Sequence, residues 1–97
     1  MSGDVNPPDL TPEQIQAVTD RVTALMPQLR ADLEDLVRIP SISLTAYDQT
    51  PVDASAEAVA DLLRAEGLTV DIVREGGGPA VIGHVDGPPG APTITLY

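Results

Sequence analysis

Apolar residues in the first third of the chain recur at spacings of three and four: Ile15, Val18, Val22, Leu25, Leu29, Leu33 and Leu36. That period lines one face of an amphipathic helix and predicts a helix over 11–38. Thr11 suits the N-cap, Pro12 the first helical position, and Gln14 the place where a capping box takes Glu or Gln. Pro27 has no N–H to give the carbonyl of Thr23, so either the helix kinks there or two helices meet there. Pro40 closes the segment by steering Ile39 away from helical angles. Residues 1–10, with Gly3, Pro7 and Pro8, read as a flexible lead-in.

Residues 41–51 show no period and are expected to form a loop. A second helix is expected over 53–66, capped by Asp53 or Ser55, with Ala56, Val59, Ala60 and Leu63 facing inward and Gly67 as its stop. The period then changes to two. Leu68, Val70 and Ile72 alternate with Thr69 and Asp71, which predicts a half-buried strand followed by a turn at 76–79. Residues 80–85 are apolar on both faces, as in a covered central strand. After a turn at 86–92, Ile94 and Leu96 share one face of an expected third strand over 93–97. An apolar strand at the end of the chain offers unpaired backbone groups, which predicts that these residues are part of a larger sheet domain.

Composition narrows the partners. With 42% hydrophobic and 21% charged residues, the chain of 97 residues is globular in type despite ten prolines and eight glycines. It has no Phe or Trp, so its core depends on aliphatic side chains that contribute less area each. Fifteen acidic residues against five arginines give a net charge of −10, which repels phosphate backbones and anionic lipid. No nucleic-acid or membrane partner is expected. No apolar run approaches the roughly 20 residues that span a bilayer, and 1–9 do not have the form of a secretory leader. A soluble, cytoplasmic protein is expected.

Several groups invite a chemical role. His84 and Asp86 have the H-x-D form in which an imidazole and a carboxylate reach one zinc ion, but a zinc site takes three or four protein ligands. The sequence has no second His and no Cys, so the expected role of the pair is a strand-end residue followed by a turn. Gly76 to Gly78 join two expected strands with no helix behind them, which fits a turn and not a phosphate cradle. Ser41 and Ser43 have no nucleophile-elbow context and are expected to be loop hydroxyls. Asp32, Glu34 and Asp35, flanked by Arg30 and Arg38, are explained by pairing along a helix. The residues by themselves thus specify an acidic α/β segment and no catalytic, cofactor or metal site.

The order of motifs resembles a known family. Leu36-Val37-Arg38-Ile39-Pro40-Ser41-Ile42-Ser43, at the end of a leucine-lined helix, is similar to the L-V-x-I-P-S-[VIL]-S stretch near the start of the zinc-dependent dipeptidase, aminoacylase and glutamate carboxypeptidase exopeptidases, the family of carnosine dipeptidase. Residues 53–66 resemble its second helix, Gly67-Leu68-Thr69-Val70 the entry to its first strand, and Gly78-Pro79-Ala80-Val81-Ile82-Gly83 its second strand. Residues 87–97 resemble the hairpin into its third strand.

The resemblance implies two helices followed by the first strands of a mixed sheet, an incomplete part of a three-layer α-β-α catalytic domain. It implies that the family's H-x-D-x-x-P zinc-ligand motif follows Tyr97, and that His84 occupies a position that is not a ligand. Two zinc ions would then belong to the intact parent and none to this chain alone, which is expected to be inactive. A small peptide or acyl-amino-acid substrate, and a parent homodimer built through a lid domain, are implied in the same way. A rival expectation is a non-catalytic interaction module that uses the Leu25, Leu29, Leu33 and Leu36 stripe.

Overall fold

A computed structural model describes residues 9–97, which form a small α/β fold in the order α1 (Pro12–Arg38), α2 (Thr50–Ala65), β1 (Thr69–Val73) and β2 (Ala80–His84). Residues 1–8 of the expected lead-in lie outside the described residues; Asp9 and Leu10 are exposed and irregular. Two compact units can be distinguished, Ala31–Asp86 and a second that joins 9–30 to Gly87–Tyr97, with the boundary inside α1.

The start of α1 follows the sequence code. Thr11 Oγ1 accepts a hydrogen bond from the Gln14 backbone N–H at 3.1 Å, and the Thr11 N–H donates to Gln14 Oε1 at 2.8 Å. Two donors without intrahelical partners are satisfied reciprocally. The helix continues as one element through Pro27, so the alternative of two helices does not hold. Thr19 and Thr23 donate their hydroxyls to the carbonyls one turn back, at 2.9 Å each. These contacts are all local, and α1 contains no buried residue.

α2 begins at Thr50, three residues before the expected start. Its N-cap is Gln49, which makes no side-chain capping bond, and neither Asp53 nor Ser55 is the cap. The earlier start has a local cause: Asp48 Oδ1 accepts from the Thr50 N–H at 2.9 Å, and Pro51 fits a first turn that needs no donor from it. Asp53 then lies in the first turn, where its negative charge meets the positive end of the helix dipole.

At the other end Gly67, at φ 86°, stops the helix as expected. The Gly67 N–H reaches the Arg64 carbonyl at 2.9 Å and the Leu68 N–H reaches the Leu63 carbonyl at 3.2 Å. This pair of bonds is the Schellman arrangement, which needs a left-handed residue and so favours glycine.

β1 and β2 pair antiparallel, with Val70 opposite Gly83 and Ile72 opposite Val81. That face is turned to α2, where Ala60 is fully buried and Ala56 is 7% exposed. Gly83 matters here because a Cβ at that position would stand 2.9 Å from Leu68 Cδ2 and 3.1 Å from Leu63 Cδ1. The two leucines that flank the helix stop therefore close over the bare strand backbone. Arg74, just after β1, donates to Asp53 Oδ1 at 2.8 Å and links the hairpin to the first turn of α2.

Two strand expectations need correction. β2 is one of only two strands among the described residues, and Ile82 on its outer face is 54% exposed, so it is not a covered central strand. Residues 93–97 form no strand, with Ile94 and Leu96 exposed. Alternating apolar residues supply a surface, but a strand exists only where a neighbour completes its ladder.

Candidate functional site

His84 ends β2 opposite Thr69, and Asp86 follows two residues later in irregular backbone. Their side chains meet: His84 Nε2–H donates to Asp86 Oδ1 at 2.8 Å, the only possible direction because a carboxylate accepts and does not donate. Both side chains are largely exposed. The pair is thus engaged within itself, and among the described residues no group of three or more His, Cys, Asp or Glu side chains could hold a metal ion.

Ser41 and Ser43 lie in the exposed stretch after α1, and neither hydroxyl is hydrogen-bonded to His84. Gly76 to Gly78 form the bend between the strands, with Gly76 at φ 74° and β2 as the next element, so no helix N-terminus faces them. Asp35 pairs with Arg38 at 2.6 Å and Glu34 approaches the same guanidinium at 3.7 Å, one turn apart on exposed helix surface. Pairs of this type contribute only tenths of a kilocalorie.

Two features of the unit Ala31–Asp86 were not expected. The first is a polar staple. Gln49 Nε2 lies 2.8 Å from the Leu44 carbonyl, 3.0 Å from that of Tyr47 and 3.2 Å from that of Ile42. Three acceptors around one amide nitrogen fix the orientation of the amide, since its oxygen would be repelled there. This staple and the Asp48 to Thr50 bond shape the segment that leads into α2. The two bonds that Asp48 accepts from Thr50, backbone first and hydroxyl second, hold its carboxyl below the ordinary value of 3.8.

The second is an open groove of about 200 Å³ between the end of α1 and α2. Leu36, Ile39, Ala58 and Leu62 line it, together with Asp32 and Asp35. No Cα of 31–38 comes within 8 Å of a Cα in α2, so the two helices leave this channel between them. In sequence the only trace is an apolar residue at each of the first four positions. Which of them face one another depends on helix placement.

No family model matches this chain, and no curated protein or solved structure proves similar to it. No helix among the described residues is long and apolar enough to cross a membrane.

Proposed function

We propose that this chain is the N-terminal scaffold of a di-zinc metallopeptidase that hydrolyses dipeptides or related acyl-amino-acid amide bonds. One observation supports the reading above all: the stretch Leu36 to Ser43, which resembles the family's opening motif, spans the end of α1 and the following loop, ahead of a second helix and a hairpin. On this reading the segment is part of a three-layer α-β-α domain. Its work is positional: α2 covers one face of the hairpin, and the turn after β2 directs the chain toward the strand that would carry ligands. Zinc in the parent would lower the pKa of a bound water and polarise the scissile carbonyl. No residue of this chain takes part in those steps.

The test is the coding sequence beyond Tyr97, with H-x-D-x-x-P expected there; a different continuation overturns the reading. Zinc titrated calorimetrically into the purified chain is expected to show no stoichiometric sub-micromolar transition. If one appeared and vanished in His84→Ala, His84 would be a ligand and the strand assignment would fall.

A second reading, a non-catalytic interaction module, is favoured by one fact: α1 presents an apolar stripe of which no residue is buried.

A further inference from the structure

The stripe on α1 has a finer period than a helix packed on a sheet requires. Ile15, Val22, Leu29 and Leu36 stand seven apart, and Val18 and Leu25 fall three residues after the first two. This is the heptad seam of one helix against another. Along it Ile15, Val18, Val22 and Leu29 are between 47% and 57% exposed, Leu25 and Leu36 are half-buried, and Leu33 beside the seam is 60% exposed. The exposed members, with Leu33, offer roughly 500 Å² of apolar surface per copy, at the upper end of the patches that monomers leave open, so that two copies approach the lower bound of a stable interface, about 1,200 Å².

We infer that α1 pairs antiparallel with α1 of a second copy of this chain, centred on Pro27, so that side chains from the partner's N-terminal half enter the open groove. The charges select this arrangement. In a parallel pair Asp32, which continues the seam after Val18 and Leu25, would face its own equivalent in the partner at the interface. The antiparallel pair separates the two carboxylates. With Pro27 at the centre, Val22 meets Asp32 and Leu25 meets Leu29, while Val18 and Ile15 of one copy reach Leu36 and Ile39 of the other. The last two line the groove together with Asp32 and Asp35, and the incoming Arg21 meets this pair of carboxylates, where Asp35 already binds Arg38 of its own helix. By symmetry the Arg21–Asp35 contact forms twice. Sliding one helix by a heptad sets Arg21 against Gln28 in place of Asp35, and sliding by two sets Arg21 against Arg21. Pro27 and Glu34 lie on the outward face, where a missing N–H and a charge meet solvent.

This inference deepens the interaction reading of α1 and owes nothing to the peptidase reading. The test uses the whole chain. Sedimentation equilibrium at tens of micromolar is expected to give twice the chain mass. Arg21→Glu, an exposed change, is expected to raise the dissociation constant roughly tenfold by replacing two attractive contacts with repulsive ones, and R21E/D35R to restore it to within about threefold. The chain has no cysteine, so Glu13→Cys carries a single spin label. Antiparallel pairing puts the two labels about 40 Å apart along the axis, whereas parallel pairing leaves only the interaxial spacing of about 10 Å. A monomer at these concentrations overturns both the dimer and the interaction reading. A dimer with short label distances, a larger or heterogeneous assembly, or a charge swap that fails to rescue overturns the pairing alone. None of these results bears on the coding sequence beyond Tyr97, so the two readings fail separately.

Discussion

α2 and α1 are both amphipathic, yet they are held by different forces. In its 16 residues α2 buries Ala60 completely and Ala56 nearly so, against a hairpin whose Gly83 lets Leu63 and Leu68 close in. α1 has 27 residues and buries none of them. Its order comes from a capping box, hydroxyls bonded one turn back and side-chain pairs along its surface. Amphipathic period therefore predicts that a helix forms, but not that its apolar face has a partner in the same chain. The small residues mark the difference: alanines on the inner face of α2 allow close approach, whereas the branched and long side chains of α1 need a matching surface.

Overpacking should separate the two helices most strongly. Ala60→Leu is expected to destabilise the unit Ala31–Asp86 by about 1–3 kcal/mol, because three extra carbons have no space at a fully buried position. Ala24→Leu, on exposed α1 surface, is expected to stay within about 0.5 kcal/mol. Urea unfolding followed by circular dichroism measures both, and equal shifts would erase the contrast. Next in size, Gly67→Ala forces a side chain into the left-handed region at φ 86° and is expected to cost about 1–2 kcal/mol in the same measurement. Its effect should extend to β1, since Leu68 leaves the helix stop straight for the strand.

Thr11→Ala sharpens the comparison from the other side. Loss of this cap is expected to cost about 1 kcal/mol, confined to the first turns of α1, with amide exchange faster there and protection in β1 and β2 unchanged. Protection lost in the hairpin would mean that α1 and the hairpin unfold as one. The smallest effect is that of pH on the entry to α2. The folded-state value of Asp48 is lowered, so its contribution is fully present above the unfolded value near 3.8 and is lost as pH falls through the lowered folded value. An NMR acid titration should therefore show the Thr50 amide moving below that point and the Leu68 amide unmoved. A Thr50 response centred above 3.8 would contradict the bond.

Legible in the sequence were the features that neighbours in the chain decide. Thr11 with Gln14, and Gly67 with Leu68, act over three to five residues, and both helix ends appear where those residues stand. The start of α2 escaped because Asp48 can cap from two residues upstream, a role that its type shares with Asp53 and Ser55. The strand over 93–97 and the covered character of β2 failed for another reason. Each needs a neighbour that residue pattern does not supply. Of the candidate chemistry, the proximity of His84 and Asp86 was legible because they stand two positions apart, whereas the groove beside Leu36 and Leu62 was not, because those residues stand 26 apart.

The Gln49 staple has a consequence in counting states. A side-chain amide has two N–H bonds, and three carbonyls surround this one. Only two can be served linearly at a time, so the segment has three ways to choose the carbonyl left to share or to meet water. Were the three choices equal in energy, their degeneracy would return about 0.6 kcal/mol of entropy to the folded state, the most that three microstates allow. The 2.8 Å bond to Leu44 makes them unequal, which leaves the carbonyls of Ile42 and Tyr47 to share the other N–H. Order in this bend thus rests on one nitrogen with fewer hydrogens than neighbouring carbonyls.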